Sequence, residues 1–338
     1  MRFYNLRSII VILLYVLFNL GFIAFSISRP SLESSLNLDS KNKASEFTEI
    51  STLDYFNLKN GRPVLSLSAD FMISQNDSKA TFTHPRGVYN YQQDKDSLRY
   101  EGLKGVYRAK KSHLLLEGEV KLASSDSEYY ADKFDYFIQK DFIVGEGNVK
   151  FKGEDLKSKD SIFIESQHMT AHPKQKKGTF TENVKGFFQR RRKFEGKTDF
   201  STQLLQLEGI ESLAHLEGDV YLKRDSYVIT AGNGDIYLEN FNKSLKYFVL
   251  NDDVKVTESI MTPKGLVTRK AFSERLEGFG KEEKMILSGA PRVETGSDVI
   301  KGYKITIREN VDLVEVDDAV SDVEVKKDEK QKNKKLRE

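Results

Sequence analysis

Five histidines, His84, His113, His168, His172 and His215, are the side chains best suited to metal binding or acid–base work in a chain that has no cysteine. Only "HMTAH" (168–172) has an i, i+4 spacing. That spacing brings two imidazoles together on a helix and separates them on a strand. The preceding "DSIFIES" (160–166) alternates like a strand, so these read as surface histidines and no metal is expected. "GEGNVKFKG" (145–153) and "GNGD" (232–235) are glycine-rich, yet no helical pattern follows to supply the N-terminal amides a phosphate needs. They read as turns. Acids are abundant, but no pair stands apart from solvated strand faces as glycosidase carboxylates would. With no cysteine there is no disulfide framework, thiolate metal site or lipidation site. No catalytic residue and no cofactor is expected, and the chain does not read as an enzyme.

The elements themselves must then carry the function. Among 338 residues there are 15 Tyr and 22 Phe, no Trp and only 6 Pro, a balance that favours β structure over a helical bundle. Basic and acidic residues number 53 and 51 and are mixed along the chain, giving a net charge of +2. No basic field for nucleic acid emerges.

Arg2 and Arg7 precede "SIIVILLYVLFNLGFIAFSI" (8–27). About twenty apolar residues at helical rise span the hydrocarbon core of a bilayer. The leading arginines put the N-terminus in the cytoplasm and the body on the far side. A cleaved signal peptide is the competing reading, with "AFS" (24–26) as a poor cleavage site; the long apolar run favours an uncleaved, single-pass anchor over residues 1–27. Residues 28–52 are rich in Ser and charge and read as a tether. The tail, 323–338, is charged and reads as disordered.

Between tether and tail the chain repeats. "LLLEGEVKL" (114–122), "FIVGEGNVKF" (142–151), "LAHLEGDVYL" (213–222), "YFVLNDDVKV" (247–256) and "MILSGAPRV" (285–293) share one pattern, with a looser copy in "TFTENVKGF" (179–187). Their aligned valines, Val120, Val149, Val184, Val220, Val254 and Val293, fall 29–39 residues apart, as in an array built from one supersecondary unit. Alternation puts Leu116, Gly118, Val120 and Leu122 on one face, and likewise Gly147, Val149 and Phe151. Leu216, Gly218, Val220 and Leu222 follow, as do Leu250, Val254 and Val256, and Leu287, Gly289 and Val293. Glycine two residues before the valine either leaves room on the apolar face or marks a bend. A second half-motif follows, a small residue, a polar pair and a strand, in "YYADKFDYF" (129–137), "LKSKDSIFI" (156–164), "ITAGNGDIYL" (229–238) and "VIKGYKITI" (299–307). Such units are too small to bury their own apolar face, and stacking buries a continuous one.

The recurrent L-x-G-x-V rung resembles the OstA-type β-jellyroll of the lipopolysaccharide-export (Lpt) family. "LSGAPRVETGSDVIKGYKITI" (287–307) with "VDLVEVDDA" (311–319) is similar to the terminal rungs of LptA-type modules, and "LKNGRPVLSLSADFMI" (58–73) to the start of an LptC-type periplasmic domain. The resemblance implies an all-β fold: an elongated open β-jellyroll of stacked rungs behind one N-terminal transmembrane helix. Residues 53–195 would form an LptC-like module and 196–322 an LptA/OstA-like one. It further implies an inner-membrane protein, its body in the periplasm, that takes lipopolysaccharide from an LptB/LptF/LptG-type ABC transporter. The lipid would pass along a groove toward an LptA-type or outer-membrane LptD-type jellyroll. Groove-facing residues would be Leu116, Val120, Leu122, Val149, Phe151, Leu216, Val220, Leu222, Leu250, Val254, Val256, Leu287 and Val293. The last strand, "VDLVEVDDAV" (311–320), would offer Val311, Leu313, Val314 and Val316 as an edge for the next jellyroll. A purely structural or adhesive membrane-anchored β-repeat protein with a filled core is the rival reading.

Overall fold

Alternation of apolar and polar residues produces strands almost everywhere it occurs in this chain. The structure, a computed structural model, describes residues 47–59, 61–75, 78–90, 97–154, 161–189, 197–209, 212–224, 227–238, 245–262, 265–279, 282, 284–308, 314–318 and 320–322. The expected anchor (1–27) and tail (323–338) lie outside these, and no helix among the described residues is long and apolar enough to cross a membrane. The chain divides into two units, Met1–Ala44 and Ser45–Glu338, and every described strand belongs to the second. The fold is all-β: a jellyroll made of one antiparallel sheet of twenty-two strands, from Phe47–Lys59 to Val320–Asp322. The first strand starts inside the expected tether. Phe47–Ser51 pair with Phe71–Gln75, giving the second strand a partner along its whole length, so the tether's last six residues belong to the sheet.

The long strands from His113–Ala123 to Leu245–Thr262 each pair with their sequence neighbours across a corner. Toward both ends the folded strands are split at the corner into short halves, as in Lys79–Thr83 and Arg86–Asn90, which both pair with Arg62–Gln75. At the corner of each motif-bearing strand two successive residues take positive φ: Gly118 and Glu119 (79° and 47°), Gly147 and Asn148 (75° and 48°), Glu182 and Asn183 (66° and 58°). Gly218 and Asp219 (81° and 49°) and Asp252 and Asp253 (67° and 51°) repeat the device. Left-handed backbone suits Gly, Asn and Asp best, which is why these residues dominate the position. The pairing register slips at each corner, as between Glu117 and Val120. The motif glycine therefore marks a bend. It does not make room inside, because a Cβ on Gly147 or Gly218 would meet the exposed side chains of Asp132 or Gln203.

The valine after each corner stands opposite a small residue of the next strand. Val120 faces Ala131, Val149 faces Ser166, Val184 faces Thr202, Val220 faces Ala231 and Val254 faces Ser273. These five valines are at most 1% exposed. A sharp fold leaves little interior volume at its vertex, which one branched and one small side chain fill. Hydroxyls at the small positions bond to carbonyls at the bulge: Ser166 donates to His168 O at 3.1 Å, Thr202 to Glu217 O at 2.8 Å and Ser273 to Arg275 O at 3.0 Å. Two alignments change as a result. In the last copy the corner is Gly289 and Ala290, and buried Pro291 takes the valine's place; Val293 lies one step along, across from Ala271 in the row of Val256. In "LKSKDSIFI", Ser158 lies outside the described residues, and the small corner residue of that strand is Ser166.

The corners divide the sheet into two arms, one carrying His113–Glu117 and its neighbours, the other Val120–Ala123 and its neighbours. Their inner faces meet in one continuous hydrophobic core. Tyr89 on one arm packs edge-on against Tyr136 on the other, ring centroids 5.6 Å apart, and Phe151 lies 5.8 Å from Phe180. Between the two expected modules the sheet does not break. Lys177–Gln189 pairs with Thr198–Glu208 on both arms, with a slip only at the corner.

Candidate functional site: the interior between the arms

All thirteen residues expected to face a groove point into this interior. They run from Val149, Leu216, Leu250 and Leu287 at 0% exposed to Phe151 and Leu222 at 4%. The interior is thus packed over most of its length, and two openings into it stand out among the described residues. At the N-terminal end a chamber of about 380 Å³ lies between the arms, walled by Leu53, Leu65, Leu67, Met72, Phe82 and Tyr100. Tyr100 anchors its wall by donating to Ser66 O at 2.8 Å, and burial pushes its hydroxyl pKa upward. Further along, where the free ends of the arms part, a slot of about 80 Å³ leads in past Leu98, Ile143, Phe151, Phe180 and Leu207. Tyr129 stands in the slot wall, its hydroxyl raised to about 12 by desolvation that outweighs a hydrogen bond with Ser127. Neither the chamber nor the slot is visible in periodicity, since both depend on how far the arms stand apart.

Toward the C-terminal end the inner surface turns polar. Arg269 and Glu258, both 1% exposed, are opposed on adjacent strands; Arg269 donates to Glu258 Oε2 through Nη2 at 2.5 Å and through Nε at 3.2 Å. Arg269 Nη2 also reaches Arg308 O, 3.3 Å away on the other arm, tying the arms together. The hairpin bearing this pair, Leu245–Thr262 with Gly265–Phe279, runs far past its corner and ends in exposed Met261 (77%) and Leu266 (68%). Strict alternation from Val254 and Val256 through Glu258 is the signal in the sequence for a charge inside.

The histidines are dispersed. His113 is buried between Arg108 (2.8 Å) and Asp135 (2.7 Å), His215 pairs with Asp235 (2.6 Å), and His84 with Asp70 (3.0 Å). His168 and His172 share the strand Ser161–His172, where four residues of rise separate them by roughly 13 Å. Among the described residues no group of His, Asp or Glu is gathered as a metal ion would require.

Of the expected partner edge, Val311 and Leu313 lie outside the described residues. Val314 and Val316 pair with Ile307 and Ile305 and pack half-buried against the core. The run is not one strand: Asp318, at φ 53°, turns a corner between Val314–Asp317 and Val320–Asp322. These strands pair with Lys304–Arg308 and Asp298–Lys301 respectively.

Comparison with known proteins then decides the family. Residues 9–189, more than half of the chain, match the family described as lipopolysaccharide-assembly, LptC-related. The chain belongs to the LptC-related family. Residues 202–312 match a second description, LptA/(LptD N-terminal domain) lipopolysaccharide transport protein. The LptC-related chain thus matches two lipopolysaccharide-transport descriptions, and Lys177–Gln189 of the first region pairs directly with Thr198–Glu208 at the start of the second. Among solved structures it is similar to LptH, the LptA-homologous periplasmic component of the lipopolysaccharide transport device of Pseudomonas aeruginosa. That match has 12% identity and a TM-score of 0.34, covering 38% of this chain and 95% of LptH. No curated protein matches the chain.

Proposed function

We propose that this LptC-related protein is a non-enzymatic lipid carrier, held in the inner membrane by residues 1–27 with its body in the periplasm. It receives lipopolysaccharide from an LptB/LptF/LptG-type ABC transporter at its N-terminal chamber. The lipid moves between the arms, past Leu116, Val149, Leu222 and the other inward residues, toward an LptA-type or LptD-type jellyroll. The observation that carries this reading is one apolar interior running through both transport domains with no seam between them. Exposing a saturated chain of twelve carbons to water costs on the order of 10 kcal/mol, at ~0.8 kcal/mol per methylene, so an unbroken apolar path removes the barrier to crossing an aqueous gap. Because the interior is packed, the arms must part about their corners as a chain enters, and the slot at Phe151 and Phe180 is where they already do. The C-terminal edge at Val314 and Val316 would take the next jellyroll by strand addition.

Burial of all thirteen inward residues favours a second reading, a structural β-repeat with a filled core. Photocrosslinking probes at Leu98, Ile143 and Phe180, introduced into the full chain in cells, separate the two. A carrier yields lipopolysaccharide adducts there and none at exposed Glu119 and Lys223. Adducts on neither face would favour the filled core. Proline at Val314 tests the edge: it should abolish pull-down of the distal jellyroll and leave transporter binding intact.

A further inference from the structure

Along one side of the sheet the turns stack on one another, beside the chamber at Ala109 and Ile138 and beside the slot at Pro173 and Lys176. Ala109–Lys111, Ile138–Lys140 and Pro173–Gln175 are single 3-10 turns, each closed by a residue with left-handed backbone: Ser112, Asp141 and Lys176. Successive turns are fastened together. Ile138 N–H donates to Ser112 O at 3.0 Å, and Lys174 N–H donates to Asp141 Oδ2 at 2.8 Å. Gly209 N–H donates to Lys176 O at 2.8 Å. The turns occur at every second strand, so they are spaced by roughly 10 Å along a rigid rim.

Their exposed residues include five lysines, Lys110, Lys111, Lys140, Lys174 and Lys176, together with Ala109, Gln139 and Gln175. Some other lysines are matched with acids, as in Lys121 with Glu128 and Lys133 with Glu146, and at the slot itself Lys177 pairs with Glu208. Among the described residues these five have no ion pair, and Lys140 lies only over the Phe137 ring. Of the acids beside these turns, Asp141 is buried and accepts from Lys174 N–H, and Glu208 is paired with Lys177. Across the slot the opposite rim is Ser124–Ser127, whose hydroxyls are taken up by Asp126 and by one another. One side of the chamber and slot therefore carries five lysines without an ion pair, and the rim across the slot carries Asp126 and serine hydroxyls.

We infer that these stacked turns are a rail for the phosphate groups of a lipid whose acyl chains occupy the chamber and the slot, so that the protein selects phosphorylated lipids and fixes which way their headgroups face. The inference rests on the lipid-carrier reading. A neutral lipid would leave the lysines unused, and a soluble anion would leave the apolar slot unused. An anionic amphiphile satisfies both.

The test uses the detergent-purified full chain and one fluorescent acylated glycolipid, prepared with and without its phosphates. Wild type should prefer the phosphorylated form by at least about tenfold, the scale of one or two surface lysines acting on an anionic headgroup. High salt should erase the preference. Replacing Lys111, Lys140, Lys174 and Lys176 with Gln should remove the preference and leave binding of the dephosphorylated lipid unchanged; replacing them with Arg should retain it. Equal binding of both lipids by wild type, or a preference that survives in the Gln variant, overturns the rail. Complete competition by inorganic phosphate also overturns it. So does a Gln variant that loses only its adhesion to anionic phospholipid vesicles, which would assign the lysines to a bilayer surface. Binding of neither lipid by wild type would instead overturn the carrier reading.

Discussion

Glycine serves at some corners, while Glu182 (φ 66°) and Asp252 (φ 67°) hold the same left-handed backbone with a side chain. For a residue other than Gly, Asn or Asp that conformation costs about 1–2 kcal/mol. Glu182→Gly should therefore stabilise the protein by up to about 1 kcal/mol, the gain being partly offset by unfolded-chain entropy. Gly147→Ala should destabilise it by about 1–2 kcal/mol from the same backbone strain, and the new methyl would also crowd Asp132. Denaturant midpoints at unchanged slope would show both effects. Asp141 gives a different residue-level test. Burial raises its pKa above 3.8, and its Oδ1 has no hydrogen-bond partner. A raised folded pKa means that the folded state holds the proton more tightly than the unfolded chain does. The group then favours folding below its ordinary pKa and loses that benefit as pH rises through the raised value. Asp141→Asn keeps an acceptor for Lys174 N–H and does not ionise. Its melting temperature relative to wild type should climb as pH rises from about 3.5 toward neutrality, the range through which carboxylates ionise. A difference independent of pH would exclude the buried charge as the cause.

At the level of strands and hairpins, the arm-to-arm tie made by Arg269 is the most exposed to mutation. Removing one member of a buried pair leaves an uncompensated charge, so Glu258→Ala should cost about 3–5 kcal/mol. Replacing both, with Glu258→Leu and Arg269→Met, should recover most of that loss, as measured by thermal unfolding. These elements also show what the sequence could and could not disclose. Alternation located the strands and their apolar face, because inward residues such as Leu116 and Val220 recur at period two. Alternation left the glycine two roles, room on the apolar face or a bend, and the bend is the one it has: a pair of left-handed residues interrupts the period that alternation assumes. The pairing of each valine with a small residue needed cross-strand register, which spacing within one strand does not carry. Glu258 and Arg269 were legible by parity and were hidden only by the expectation that an inward stripe is apolar. The chamber and slot were not legible at all, since they arise from the separation of two arms, a property of the folded sheet alone.

Over the whole molecule, Phe47–Ser51 supply the hydrogen-bonding partner of Phe71–Gln75. A chain beginning at Ser45 should thus unfold cooperatively by circular dichroism and elute as a single species. One beginning at residue 53 should melt earlier and aggregate, because it bares half of an edge strand. Failure of both to fold would show that Met1–Ala44 contributes to the stability of the body. The rung-to-rung pairing has a mechanical consequence as well. No strand is inserted between two others from far along the chain, so each rung is held only by the rung before and the rung after it. Pulled by its two ends, such a sheet should peel as a zipper does, releasing one rung at a time at nearly constant force. Amide exchange at rest should trace the same order, fastest at Phe47–Lys59 and Val314–Asp317 and slowest in the middle rungs around Lys177–Gln189.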